Sequence, residues 1–293
     1  MALITQRAAD IRPFIVMDVL EAAQAMERNG EDVIHLEVGE PDFDTPECIK
    51  VAGFRALHEG KTHYTHSLGL LELREAICDH YRQRYGVIVS PEQIIVTSGT
   101  SPAMMILFST ILERDDEVII SDPPYACYPN FIRFFGGKPI CVPVHEDEGF
   151  QYTPAAIREM IHPRTKAILI NSPSNPTGNL LSRERIEEIA SFGVPVISDE
   201  IYHGLVYGEV EHSILEFTDN AFVLNGFSKA YAMTGWRLGY LIAPRTLIRP
   251  MQKIQQNLFI SANAFVQWAG VAALREAEPD VLRMREIYNE RRK

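Results

Sequence analysis

A lysine, an aspartate and an arginine stand behind short apolar runs, at positions where buried strands would end. Asp199 closes the run PVISD, Lys229 follows the run FVLNG by three positions, and Arg237 comes eight residues after the lysine. A lysine amine can bond covalently to an aldehyde, and a carboxylate can keep a ring nitrogen protonated. Singly, the three residues could be a helix cap, a solvated lysine and an ion-pair partner. Together they indicate one ligand that uses an amine, a carboxylate and a cation.

Three further apolar runs end in groups that the same ligand could use. Gly99 and Thr100 follow IIVTS at the start of a helical segment, where backbone N–H groups can bind phosphate. Tyr125 follows EVIIS and offers an aromatic face, and Asn175 follows KAILIN and offers an amide. Because ligands of parallel α/β sheets bind at the carboxyl ends of the strands, these five strand ends would meet one ligand. Pyridoxal phosphate uses all of these groups.

The elements that must position these residues alternate along the chain. Between the apolar runs lie helical patterns, with Ser101, Thr153 and Ser182 as predicted N-caps. This alternation predicts an α/β fold with a mostly parallel sheet flanked by helices. After Pro244 the sequence predicts helices only, and the last pattern continues to the final residue. The predicted strands are residues 94–98, 117–121, 166–171, 195–199, 222–226 and 238–243.

Composition and charge exclude several other classes of protein. The 293 residues carry a net charge of −11, which argues against nucleic acid or an anionic membrane as the main partner. The apolar stretch 103–112 is short of the roughly 18 residues that span a bilayer, so we expect a buried helix. No secretory leader is recognisable, and a cytoplasmic location is expected. The four cysteines form no C-x-x-C pair, and His63 and His66 have no ligand cluster beside them, so no metal site is predicted.

Seven motifs, in order, resemble those of a known enzyme family. They are VGEPDFDTP, YTHSLGLLELREAI, TSGTSPAM, DPPYACY, NSPSNPTG, SDEIY and FSKAYAMTGWRLGY, and they cover about residues 35–245. The sequence resembles the class I/II aminotransferases of the aspartate aminotransferase superfamily, which are fold type I pyridoxal phosphate-dependent enzymes. The last four motifs together are highly specific for this family.

The resemblance implies a role for each residue around the cofactor ring. Lys229 would form the Schiff base with pyridoxal 5′-phosphate and would move a proton between the substrate's α-carbon and the C4′ atom of the cofactor. Asp199 would pair with the pyridinium nitrogen. Tyr202 and Asn175 would hydrogen-bond the ring's phenolic oxygen, and Tyr125 would stack on the ring.

The resemblance also implies the phosphate, substrate and dimer contacts. Gly39 matches a glycine near the substrate carboxylate, and Asn175 would also bind the substrate. Tyr64 matches a tyrosine that is lent across a dimer interface to the partner's phosphate, so a homodimer is expected. The Asn175–Pro176 bond could be cis. The phosphate would be held by Ser98, Gly99, Thr100, Ser228 and Arg237.

The resemblance divides the chain into three parts. Residues 1–44 would be an N-terminal arm and small-domain segment, and residues 45–276 would be the large pyridoxal phosphate-binding domain. Residues 277–293 would begin the interdomain helix, with the chain ending inside it. Most of the small domain is therefore expected to be missing. An arginine for the substrate's α-carboxylate would belong to that part, and no residue after Arg237 matches it.

The function implied is transfer of an amino group from an L-amino acid to a 2-oxo acid, in two half-reactions through the Lys229 Schiff base. Two alternatives stay open at this point. One is a pyridoxal phosphate-dependent C–S β-lyase on the same fold, and the other is a truncated, non-catalytic module that binds the cofactor. No G-x-G-x-x-G motif follows any predicted strand, which argues against a nicotinamide enzyme.

Overall fold

Residues 3–293, which a computed structural model describes, place seven strands in one mixed sheet. The strands are short, and most of their residues are buried because helices cover both faces of the sheet. In chain order they are β1 (Ile94–Thr97), β2 (Glu117–Asp122), β3 (Lys138–Pro143), β4 (Thr165–Asn171), β5 (Val196–Asp199), β6 (Ala221–Gly226) and β7 (Gly239–Ile242).

The sheet order is β1-β7-β6-β5-β4-β2-β3. Four neighbouring pairs are parallel, whereas β7 runs antiparallel to both β1 and β6. The mostly parallel sheet is therefore confirmed, with one reversed strand. In the β6–β7 pair Gly226 stands opposite Gly239, so residues 227–238 form a loop that leaves and re-enters the sheet at the same edge.

Eleven helices are formed by the described residues, and those packed on the sheet lie in two layers. Helices α3, α4, α7, α8 and α10 share one core cluster, and α5, α6 and α9 share the other. The helices are α1 (Gln6–Asp10), α2 (Ile15–Arg28), α3 (Glu47–His58), α4 (Leu71–Tyr85), α5 (Thr100–Ile111), α6 (Tyr128–Phe134), α7 (Pro154–Met160), α8 (Arg183–Ala190), α9 (Arg245–Leu258), α10 (Ala264–Glu276) and α11 (Glu278–Arg291).

Strand side chains alternate between the two layers, as the two-residue period of a pleated strand requires. In β4, Ile168 and Ile170 belong to the cluster with α4 and α10, whereas Ala167 and Leu169 belong to the cluster with α5 and α9. Both faces are therefore apolar. This explains why the strands appear in the sequence as continuous apolar runs rather than as alternating patterns.

All six predicted strands are confirmed to within two residues, and one strand was missed. The missed strand β3 has the sequence KPICVP, in which Pro139 and Pro143 interrupt the apolar pattern. Proline is tolerated there because β3 lies at the edge of the sheet, where one side of the strand needs no partner. The prediction that only helices follow Pro244 is confirmed by α9, α10 and α11.

The predicted N-caps have different outcomes. Ser182 caps α8, and its hydroxyl accepts a hydrogen bond from the backbone N–H of Arg185 at 3.3 Å. Thr153 occupies the N-cap position of α7, but its hydroxyl donates to the Glu148 carboxylate instead. The prediction for Ser101 is wrong, because α5 already begins at Thr100 with Gly99 as the N-cap. The stretch 103–112 lies almost wholly in α5, and most of its apolar side chains are buried, as expected.

Across residues 3–293, every helix is too short or too polar to cross a lipid bilayer.

Candidate active site

Asp199 is the last residue of β5, and its carboxylate is almost completely buried. The Tyr128 hydroxyl donates to Oδ2 at 2.6 Å, and the backbone N–H of Ile201 donates to Oδ1 at 3.2 Å. Burial raises the pKa of this carboxyl from 3.8 to about 6, although both hydrogen bonds act in the opposite direction. A carboxylate that has lost its water in this way is stabilised by a cation placed next to it.

Lys229 lies in the turn that follows β6, and it is half-buried. Its Nζ donates a hydrogen bond to the carbonyl oxygen of Gly39 at 2.8 Å. Burial lowers the pKa of the Lys229 amine, and the positive charge of Arg237 adds to this, while Glu40 opposes it. A lowered pKa makes the neutral, nucleophilic form of the amine more accessible near neutral pH.

Tyr202 and Asn175 meet across two neighbouring strand ends. The Asn175 Nδ2 lies 3.2 Å from the Tyr202 hydroxyl, and the Lys229 Nζ lies 5.8 Å from the centre of the Tyr202 ring. Asn171, at the end of β4, accepts a hydrogen bond from the Asn175 backbone N–H and donates one to the Asp199 carbonyl. The Asn175–Pro176 bond is cis, as the sequence suggested. The pair therefore presents an amide and a hydroxyl beside the lysine.

The start of α5 forms a close-packed cradle with Arg237. Gly99 has φ = 98°, and a Cβ atom built there would lie 2.7 Å from Nη2 of Arg237. A Cβ on Gly239 would lie 2.8 Å from the backbone of Gly99, so both positions require glycine. The guanidinium therefore lies against backbone at the N-terminus of a twelve-residue helix. A guanidinium and a helix N-terminus together favour an anion.

Two serines stand next to site residues in the chain: Ser98 precedes Gly99, and Ser228 precedes Lys229. Ser98 lines the same pocket as Arg237, together with Thr234 and Asn263. Ser228 immediately precedes Lys229 and is half-buried in the same turn. Thr97 was missed by the sequence reasoning: its hydroxyl donates to the Gly99 carbonyl at 2.8 Å and so fixes the turn into α5.

Tyr125 is half-buried in the loop after β2, close to Asp199. Its ring packs edge-on against Tyr128 at 5.1 Å between centroids, and against Phe14 at 6.1 Å. Burial raises the pKa of the Tyr125 hydroxyl. Tyr128 was missed as a site residue, although it stands three positions after Tyr125 in the quoted motif DPPYACY and is the donor that contacts Asp199.

Two of the predicted site residues, Tyr64 and Gly39, are exposed, unlike the buried and half-buried residues around Asp199 and Lys229. Tyr64 lies in the loop before α4, and its side chain is 82% exposed. Gly39 is exposed as well, but its carbonyl is the hydrogen-bond acceptor of Lys229. The structure thus brings Gly39 to the lysine and leaves Tyr64 at the surface of the single chain.

The residues present fit pyridoxal phosphate. The buried carboxylate of Asp199 suits a protonated ring nitrogen, because it lacks a cationic side chain among its hydrogen-bond donors in residues 3–293. The Lys229 amine suits an aldehyde, and the Asn175–Tyr202 pair suits an oxygen anion. The cradle at Gly99 and Arg237, which any larger residue at position 99 would fill, suits a phosphate.

Comparison with known proteins places these features in a family. The family described as aminotransferase class I and II matches residues 31–293. The chain is 45% identical to the (5-formylfuran-3-yl)methyl phosphate transaminase of Methanocaldococcus jannaschii, over 99% of this chain and 78% of that enzyme. It is 40% identical to the aspartate aminotransferase of Pyrococcus horikoshii, over 99% of this chain and 75% of that enzyme.

A solved structure has the same fold. The aspartate aminotransferase of Thermus thermophilus with maleate aligns with a TM-score of 0.96 and 39% identity, over 100% of this chain and 78% of that one. The chain therefore spans about three quarters of the length of these relatives.

Proposed function

We propose a role for each residue of the site, starting from the fact that this chain belongs to the class I and II aminotransferase family. The chain is an enzyme that uses pyridoxal phosphate to transfer amino groups. The relatives that align with nearly the whole of this chain are named as aminotransferases or transaminases. Neither the C–S β-lyase nor the non-catalytic module is therefore favoured. The proposed substrates are an L-amino acid as donor and a 2-oxo acid as acceptor.

Bound pyridoxal phosphate supplies an aldehyde for the amino group and a ring that accepts electrons. We assign the covalent attachment to Lys229, which also takes up the proton that the substrate's α-carbon releases. The hydrogen bond from its Nζ to the Gly39 carbonyl supports this, because it fixes the position of the amine. The lowered pKa supports it too, since a general base must be able to lose its own proton near neutral pH.

We assign Asp199 to the ring nitrogen. The burial of its carboxylate is the observation that carries the proposal. Its buried carboxylate, with a pKa raised to about 6, is destabilised in its charged form unless a cation joins it. In return it holds a proton on the ring nitrogen, which makes the ring a better electron acceptor. Asn175 and Tyr202 are assigned to the ring's phenolic oxygen, and Tyr125 to the face of the ring.

The phosphate is assigned to the cradle at the start of α5. There a guanidinium and helix N–H groups converge where a side chain at position 99 would collide. Charge-assisted hydrogen bonds of this kind bind phosphate and orient it. The assigned residues are Ser98, Gly99, Thr100, Ser228 and Arg237.

Substrate, assembly and location are proposed on narrower grounds. Gly39 and Asn175 are assigned to the substrate, because both are hydrogen-bonded to residues of the ring site. A homodimer is proposed in which Tyr64 reaches the partner's phosphate, supported by its exposure in the single chain. The cytoplasmic location remains a prediction from the sequence.

The division of the chain also remains a proposal. Residues 45–276 contain the whole sheet and every residue assigned to the cofactor. Residues 1–44 would be the arm and small-domain segment, of which the structure describes residues 3 onward. Residues 277–293 would begin the interdomain helix, and α11 occupies most of them.

The test begins with the cofactor bond. The purified full chain is loaded with pyridoxal phosphate, reduced with borohydride and digested, and the peptide that contains residue 229 is weighed by mass spectrometry. We expect the cofactor on that peptide, and none on the corresponding peptide of Lys229→Arg, which keeps the charge. A cofactor trapped on another lysine would overturn the assignment.

The reaction is then tested with L-aspartate as the first donor, because the Pyrococcus relative is named for it. Transamination yields one 2-oxo acid for each amino group that appears on an added acceptor oxo acid. A β-lyase would instead release thiol and ammonia from a cysteine conjugate. Equal amounts of new oxo acid and new amino acid support the proposal; ammonia without a new amino acid contradicts it.

A further inference from the structure

We propose that His203 is a positioning residue that holds the Asn175–Tyr202 pair together. His203 directly follows Tyr202, and its side chain is 3% exposed. Its Nε2 lies 3.0 Å from the carbonyl oxygen of Ser172, at the start of the loop that carries Asn175. This inference rests on the proposed function, because it concerns the residues assigned to the cofactor's phenolic oxygen.

The partners of the imidazole determine where its proton lies. A carbonyl oxygen can only accept, so Nε2 must carry a hydrogen and donate it to Ser172. On the other side of the ring, the Tyr85 hydroxyl lies 2.7 Å from Nδ1. Glu200 Oε2 is 3.7 Å from Nδ1, and the Tyr85 hydroxyl is also within 3.5 Å of Glu211. The ring is therefore fixed in rotation from both ends.

The turn around His203 is itself held in place. The backbone N–H of Gly204 donates to both carboxylate oxygens of Glu211, at 2.8 and 3.1 Å. Glu211 in turn accepts a hydrogen bond from Arg84 of α4. The turn after β5 is thus attached to the helix layer, and His203 extends that attachment to the loop after β4.

The link matters because few other contacts join these two loops. At the strand ends, Asn171 Nδ2 and the Ser172 N–H both approach the Asp199 carbonyl, at 3.0 and 3.4 Å. Beyond the strand ends, the hydrogen bonds between the loops are the one from His203 to Ser172 and the 3.2 Å contact between Asn175 and Tyr202. Without His203, the Asn175–Tyr202 distance would depend on that single, half-buried contact.

The effect can be read from the bound cofactor without measuring turnover. Donors that hydrogen-bond the ionised phenolic oxygen lower the pH midpoint of the cofactor's absorbance change, and misplaced donors do so less. A structural role alone would lower the melting temperature but leave this midpoint where it is. The absorbance midpoint therefore separates positioning from folding.

The experiment compares a substitution that can replace the Nε2 contact with Ser172 and a shorter one that cannot. His203→Gln can place an amide N–H where Nε2 stands, whereas His203→Asn is too short to reach Ser172. The full chain, loaded with pyridoxal phosphate, is titrated spectroscopically. We expect His203→Asn to raise the midpoint by about one pH unit, and His203→Gln, which keeps the Ser172 contact but loses the Tyr85 contact, to raise it by a smaller amount. Tyr202→Phe serves as the reference for direct loss of a donor, and the exposed His145→Asn as the control for the substitution itself.

Each outcome decides the inference. A folded His203→Asn with the parent's midpoint overturns it, and so does an equal shift in the Gln and Asn variants. If His203→Asn does not fold, Tyr85→Phe replaces it: this variant frees Nδ1 and should raise the midpoint by a smaller amount, and no shift overturns the inference. If borohydride traps no cofactor at Lys229 in the parent, the proposed function fails, and this inference fails with it.

Discussion

Asp199→Asn is expected to stabilise the cofactor-free chain at neutral pH while it slows the enzyme. Burial raises the pKa of the Asp199 carboxyl from 3.8 to about 6. One pKa unit corresponds to about 1.4 kcal/mol, so the charged carboxylate opposes folding by about 3 kcal/mol at pH 7. The neutral amide of asparagine removes this penalty.

The sign of the pH dependence follows from the two pKa values. The folded chain binds the Asp199 proton more tightly than the unfolded chain does. Below pH 3.8 both states are protonated, so the carboxyl carries no penalty there. Between pH 3.8 and about 6 the folded parent loses stability relative to the unfolded chain, and above that range the loss is constant. The advantage of Asp199→Asn should therefore appear only as the pH rises through this window.

The assay is urea unfolding of the cofactor-free chain at about pH 4 and about pH 7, for the parent and for Asp199→Asn. The free-energy difference between them should increase by about 2.4 kcal/mol from the lower pH to the higher, because the unfolded carboxyl is already partly ionised at pH 4. The hydrogen bond between Tyr128 and the asparagine of the variant does not depend on pH and cancels, and the effect of Tyr128 on the parent carboxyl is already part of its pKa. The exposed Asp219→Asn controls for the loss of one negative charge. A difference of the same size at both pH values would refute the reasoning.

Adding the cofactor should reverse the order. Saturating pyridoxal phosphate should stabilise the parent more than Asp199→Asn, because only the carboxylate gains a cationic partner. Turnover of the variant should fall heavily, since the lost interaction is stronger when the ring has accepted electrons.

Three further predictions concern residues around the site and one helix. Gly99→Ala should weaken cofactor binding about tenfold or more in a spectroscopic titration, because its Cβ would strain a backbone at φ = 98° and displace the guanidinium of Arg237; binding within twofold of the parent would contradict this. Tyr128→Phe removes the 2.6 Å hydrogen bond and should raise the pKa of Asp199 further, so the unfolding window described above should extend to higher pH; an unchanged window would show that the bond is weak. Ser182→Ala should lower the free energy of unfolding by about 1 kcal/mol, measured by urea unfolding, without changing cofactor affinity, since the hydroxyl binds the N–H of Arg185 in α8 and no residue assigned to the cofactor; a loss of cofactor affinity would contradict this.

Much of the fold could be predicted from the sequence because both faces of the sheet are covered. Strands buried on two sides are continuous apolar runs, and these mark β2, β4, β5 and β6 directly. The edge strand β3 escaped because it is less buried and contains prolines. The reversal of β7 also escaped, since a four-residue apolar strand has the same appearance in either direction.

The site divides in a similar way. Asp199, Lys229 and Asn175 could be found because the end of a strand is a place along the chain as well as in space. Tyr128 and the Gly39 carbonyl are partners that only the folded backbone brings in, from 71 and 190 residues away. A backbone carbonyl has no residue type, so no sequence pattern could have indicated its contact with the lysine.

The reversed strand β7 has a mechanical consequence for the site. Gly226 and Gly239 are paired in the sheet. Lys229 and Arg237 therefore belong to one connection between β6 and β7, and the two ends of this connection are held together by the strand pairing. The amine that would bond the cofactor and the guanidinium that would bind its phosphate therefore move as one body when the sheet flexes. The spacing of these two groups is set by a dozen contiguous residues rather than by the packing of distant segments. Inserting a single residue between positions 229 and 237 should therefore impair both the covalent attachment at Lys229 and the binding of phosphate at Arg237.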